Sequence, residues 1–155
     1  MKHILLVEDD PDLRDLLERV FDDMRYSVKA FPDCFKALEA LRRSPGDFDL
    51  AFIDSSAGLR IRIGNTLQGD SKRGRYSPSK MNGYQLAREI KMTAPNIGVA
   101  MSISHYSADH AEKSEELNRK YRVNFIYKPF GLDELEDVVN RTMKGERIPV
   151  PFKSF

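Results

Sequence analysis

Ile4-Leu5-Leu6-Val7-Glu8-Asp9-Asp10-Pro11 is the stretch on which the fold turns. Four apolar residues closed abruptly by three acids suit a short strand buried on both faces of a parallel sheet. Asp10 can then cap free backbone N–H groups, and Pro11 fits a first helical turn. Leu13, Leu16, Leu17, Val20, Phe21 and Met24 follow at helical spacing. The stretch therefore reads as strand, acidic turn, helix.

The same unit recurs along the chain. Ser27 to Phe31 suits a second strand, and Asp33 can cap a helix to about Arg42 that buries Phe35, Leu38 and Leu41. After the Ser44-Pro45-Gly46 break, Phe48 to Ile53 reads as a third strand that delivers Asp54 to its carboxyl end, where open α/β sheets bind ligands. Tyr84, Leu86, Ala87 and Ile90 mark a helix, Ile97 to Ile103 a fourth strand, and Ser107 to about Lys120 another helix. Val123 to Tyr127 gives a fifth strand. Leu132, Leu135, Val138, Val139 and Thr142 outline a final helix. Strands alternating with helices predict an α/β, doubly wound parallel sheet with right-handed crossovers.

Composition narrows the class. A chain of 155 residues, 41% of them hydrophobic, suits one domain, and 25 Lys and Arg nearly cancel 24 Asp and Glu. No global field then steers it to nucleic acid or an acidic membrane. Cys34 is the single cysteine and reads as a small buried filler, the three histidines lack metal spacing, and no apolar stretch is long enough to span a bilayer. The expectation is a cytoplasmic protein whose first element begins at Met1.

Three segments bring chemistry to one sheet edge: Glu8-Asp9, Asp54 and Lys128. Packed carboxylates repel one another and need a proton or a cation. Mg²⁺ suits them, because it prefers oxygen ligands, keeps several waters and joins one or two carboxylates to a phosphate. Through Leu5-Leu6-Val7-Glu8-Asp9-Asp10, the segment 49–54 ending at Asp54, Met81-Asn82-Gly83 and Lys128-Pro129-Phe130, the chain resembles the receiver domains of two-component response regulators. The resemblance covers residues 2–144 apart from an insertion. It implies a flavodoxin-like five-stranded sheet of order 2-1-3-4-5 and a cis Lys128-Pro129 bond. It also implies a phosphoacceptor at Asp54, a direct Mg²⁺ ligand at Asp9, a largely water-mediated one at Glu8, and a further ligand in the Ser56 backbone carbonyl. Lys128 would pair with the phosphorylated aspartate. Ser104 would be the switch hydroxyl, with Ser102 as competitor on the same strand face, and Phe125 the switch aromatic or simply a core residue. The implied partners are a sensor histidine kinase or phosphotransfer protein and a downstream protein target. The domain would catalyse only its own phosphorylation and dephosphorylation.

The chain departs from that pattern in three places. Residues 59–80 form an insertion where roughly 2–6 residues usually connect strand to helix. Arg60, Arg62, Lys72, Arg73, Arg75 and Lys80 stand there against Asp70 alone. The strict alternation from Leu59 to Ile63 and the Gly64-Asn65 turn predict a small hairpin, followed by irregular loop. A solvated surface loop and a basic flap that recruits an acidic partner or shields the acyl phosphate both fit. Nucleic-acid binding has only Tyr76 as a stacking ring. Second, Lys120-Tyr121-Arg122 replaces small residues before the fifth strand. Third, after a receiver domain at 1–144, residues 145–155 read as an extended, Pro-containing tail that would ordinarily fray or reach a second copy in a homodimer.

Read as a complete chain, this is a single-domain regulator whose output is a binding event. The rival is a pseudo-receiver that binds protein without phosphorylation. An aspartyl phosphatase would want a second aspartate where Ser56 stands.

Overall fold

The computed structural model describes residues 1–58, 62, 63, 66, 67, 81–104 and 108–150. Five parallel strands, β1 (His3–Val7), β2 (Ser27–Phe31), β3 (Leu50–Asp54), β6 (Gly98–Ile103) and β7 (Asn124–Tyr127), form a sheet of order β2-β1-β3-β6-β7. In strand succession this is the expected 2-1-3-4-5. The remaining strands, β4 (Arg62–Ile63) and β5 (Thr66–Leu67), pair antiparallel as the small hairpin predicted within the insertion. Its expected Gly64-Asn65 turn and its flanks at 59–61 and 68–80 lie outside the described residues, as do Ser107, the expected cap of the fourth helix, and Phe152 and Phe155 of the tail.

Helices α1 (Pro11–Asp23) and α5 (Leu132–Met143) cover one face; α2 (Cys34–Arg43), α3 (Gly83–Thr93) and α4 (Ala108–Tyr121) cover the other. Strand alternation divides the core accordingly. Ile4, Leu6, Leu50, Phe52, Ala100 and Ile126 join the α1/α5 cluster, and their neighbours Leu5, Val7, Ala51, Ile53, Met101 and Phe125 the opposite one. The caps read from the sequence form: Asp10 accepts from the Asp12 and Leu13 N–H groups, and Asp33 from those of Phe35 and Lys36.

Three expected core residues face solvent instead. Leu16 is 54% exposed, Phe35 44% and Leu132 63%. Leu16 flanks the stripe of Leu17 and Phe21, Phe35 flanks that of Cys34, Ala37, Leu38 and Leu41, and Leu132 opens α5 one turn before its first buried residue, Leu135. The tail also differs from expectation, since residues 146–150 are fastened to the domain. No helix among the described residues is long and apolar enough to cross a membrane.

Candidate functional site

Glu8, Asp54, Ser102 and Lys128 belong to the same alternation class as the α1/α5 side of their strands, and each sits at or just beyond a strand's carboxyl end. Parallel register then aligns these ends: Val7 pairs with Ile53 and Asp54 with Ser102. Four side chains from distant parts of the chain converge because every strand points the same way.

The sheet edge is held by two glycines. A side chain on Gly83, the first residue of α3, would strike the Asp54 carbonyl, so only glycine lets the helix start this close. Gly58 takes φ +83°, and a side chain there would meet the Met81 carbonyl. The Gly83 N–H also donates to the Ala57 carbonyl at 3.1 Å. The chain thus leaves for the insertion and returns from it at one point.

Carboxylate oxygens of Glu8, Asp9 and Asp54 lie within 4.8 Å of one another. Glu8 is 1% and Asp54 3% exposed. Lys128 Nζ reaches Asp54 Oδ1 at 3.2 Å and Glu8 Oε1 at 3.7 Å. The Ser56 hydroxyl donates to Asp54 Oδ2 at 2.6 Å, and the Ser102 hydroxyl to Asp54 Oδ1 at 3.5 Å. Arg14, on α1, donates to the Glu8 carbonyl at 2.9 Å and holds the acidic turn. The Lys128-Pro129 peptide is cis.

Crowding splits the two buried carboxyls. Burial first, then the hydrogen bond and charge of Asp54, push Glu8 from 4.5 up to about 8, against the pull of Lys128. Burial acts upward on Asp54 too, but hydrogen bonds from Glu8, Ser56 and Lys128 and the lysine charge outweigh it and hold Asp54 below its ordinary value. Glu8 therefore keeps a proton in a site whose third acid is Asp9. One lysine does not balance three hard oxygen donors, and the set fits a divalent oxygen-seeking cation.

Of the residues singled out in the sequence, Glu8, Asp9, Asp54, Ser56, Ser102 and Lys128 are together. Ser104 lies one residue past β6 and is exposed. Phe125 is buried in the cluster on the other face of the sheet. The hydroxyl of Ser56 and the guanidinium of Arg14 escaped the sequence reading. Position 56 was marked for its carbonyl alone, and an arginine inside an amphipathic helix carries no signal of its own.

No protein-family model matches the chain. It is 28% identical over 146 residues to the nitrogen assimilation regulatory protein NtrX of Azorhizobium caulinodans, spanning 94% of this chain and 27% of that protein. It is 27% identical over 151 residues to the response regulator protein PilR of Pseudomonas aeruginosa, spanning 94% of this chain and 28% of that protein. The chain thus spans about a quarter of the length of these curated relatives. A response regulator receiver domain protein from Clostridium thermocellum superposes with a TM-score of 0.70, covering 94% of this chain and 96% of its own at 15% identity, a likeness of fold. Likeness in sequence to two response regulators and likeness in fold to a receiver domain converge: the chain is similar to response-regulator receiver domains.

Proposed function

We propose that the domain accepts a phosphoryl group on Asp54 from a phosphohistidine of a sensor kinase or phosphotransfer protein, and signals through changed protein contacts. The observation that carries this reading is the Asp54 carboxylate, depressed in pKa and 3.2 Å from Lys128, beside two further acids. An ionised carboxylate at the sheet edge is a nucleophile. As it attacks, the N–P bond of the donor breaks and an O–P bond forms, giving an acyl phosphate.

Asp9, Asp54 and the Ser56 carbonyl would hold Mg²⁺, with Glu8 contributing largely through water. The bound ion would supply Lewis-acid neutralisation of phosphoryl charge. Lys128 would turn its ammonium from the carboxylate to a phosphoryl oxygen. Ser102 braces the unmodified carboxylate. Ser104, two residues and roughly 6.6 Å further along the strand direction, is the hydroxyl suited to the added phosphoryl group. Its bond to that group would open space toward which Phe125 can turn, so charge at Asp54 is translated into shape on the α4, β7 and α5 side. Action in the cytoplasm, through a protein target, completes the proposal.

Incubation with Mg²⁺ and acetyl phosphate, followed by intact mass, tests it. The parent should gain one phosphate adduct, and Asp54→Asn none. No adduct on the parent even with a cognate kinase would leave the fold acting as a phosphorylation-independent binding module.

A further inference from the structure

The outer strand β7 begins at Asn124, which is fully buried. Its Nδ2 donates to Thr142 Oγ1 and to the Glu146 carbonyl, each at 2.9 Å, and its Oδ1 accepts from the Ile148 N–H at 2.7 Å. Asn118, near the end of α4 and 1% exposed, works from the other side. Its Nδ2 donates to the Val123 carbonyl at 2.9 Å and the Ile148 carbonyl at 2.8 Å, and its Oδ1 accepts from Arg147 at 2.9 Å. Each amide commits both hydrogens and its oxygen, largely to a segment with no regular secondary structure.

The segment also joins the two layers. Ile148 packs on the α1/α5 cluster, whereas Val150 is buried in the opposite one. Between them the chain crosses the start of β7. Gly145, at φ +78°, turns it out of α5, and Arg122 donates to the Gly145 carbonyl at 3.1 Å from a left-handed backbone at φ 58°. Strain of that kind persists only where surroundings enforce it. Here they are the joint of α4, β7 and the end of α5. Detachment would strip two buried amides of partners at once, so intermediate positions are disfavoured and the joint is either closed or open.

We infer that residues 146–150 form an intramolecular clasp that locks the end of α4 to β7 and α5, and that its release frees α4. The other end of α4 lies toward the acidic site. There His110 stacks on Tyr84 of α3, with ring centroids 5.7 Å apart, and Lys113 lies over the same ring. Freedom gained at the clasp is thereby available to the helix that adjoins Asp54. The closed clasp needs no phosphoryl group, so it stands apart from the function proposed above.

Hydrogen–deuterium exchange on the full chain tests the clasp, with three variants alongside. Ile148→Pro deletes the N–H donated to Asn124, a chain ended after Gly145 deletes the clasp, and Ile148→Val keeps both. In the first two, amides of residues 117–121 and 124 should exchange about tenfold faster or more, while β1 and β3 amides keep the parent's protection. Ile148→Val should match the parent. Unchanged α4 exchange in both disruptive variants would overturn the clasp, and so would uniform acceleration that includes β1 and β3. Adduct formation at Asp54, measured separately by mass, keeps failure of the phosphoacceptor reading distinct from failure of this one.

Discussion

Replacing Glu8 with Gln should change how stability depends on pH, and the size of the change follows from the site. Glu8 rises from 4.5 to about 8 in the fold, through burial first and then its hydrogen bond and repulsion with Asp54. The folded state thus holds a proton that the unfolded chain has already lost. That contribution is complete below the unfolded value and fades as pH climbs through the folded one. Asp54 has the opposite sign: its pKa is lowered, so its stabilisation is present above the unfolded value and is lost only in acid. Between pH 6 and 8 Asp54 is ionised in both states, so of this pair Glu8 alone titrates.

A one-proton difference costs about 1.4 kcal/mol per pH unit and halves by the folded pKa, so the parent should lose about 2.3 kcal/mol from pH 6 to pH 8. For a domain of this size that is a fall of roughly 5–9 °C in Tm. Thermal unfolding in chelator across this range is the assay. Glu8→Gln keeps the shape and a hydrogen-bond donor without titrating, so this component of the slope should vanish and the variant should be more stable than the parent at pH 9. Saturating Mg²⁺ should restore the parent at high pH, since a cation among the carboxylates favours ionised Glu8. A parent curve that is flat in chelator, or a variant that runs parallel to the parent, would refute the shared-proton account.

Other perturbations probe the scaffold. Gly83→Ala would drive a methyl group into the Asp54 carbonyl and should cost about 2 kcal/mol or more, read by urea denaturation, with slower adduct formation at Asp54. Arg25 closes α1 at φ 67°, its N–H and that of Tyr26 bonded to the Asp22 and Phe21 carbonyls; Arg25→Gly should add roughly 1 kcal/mol in the same assay. Phe52 meets Phe21 and Phe130 edge to face, with centroids at 5.4 and 6.4 Å, so Phe52→Ala should remove about 3–5 kcal/mol and lower the urea midpoint.

The sequence carried the fold wherever periodicity and punctuation agreed. Ser27–Phe31 matched its predicted strand end to end, and Asp33 and Asp10 capped the helices expected of them. It failed at the margins of the apolar stripes, as at Phe35 and Leu132, because an apolar residue beside a stripe or ahead of it looks the same as one within it. The acidic site was legible for the same reason as the strands. Residues at strand ends inherit the alternation of the strand, so Glu8, Asp54 and Lys128 had to share a side. The local bond from the Ser56 hydroxyl to Asp54, two residues back, was not legible, because it depends on a side-chain rotamer.

The clasp was the least legible feature, and its chemistry explains why. Asn118 and Asn124 occur singly, six residues apart, in a helix and a strand that would each form with other residues there. Their value lies in backbone groups of residues 146 and 148, which no side-chain pattern announces. A buried asparagine is expensive to leave unpaired, and two of them facing one irregular segment make that segment part of the domain. The insertion at 59–80 is bounded differently. Gly58 and Met81 meet at its base, so its two ends are joined by backbone contact beside Asp54. The insertion is thus pinned at its base beside the acidic site, while the tail is held by the polar groups at the end of α4.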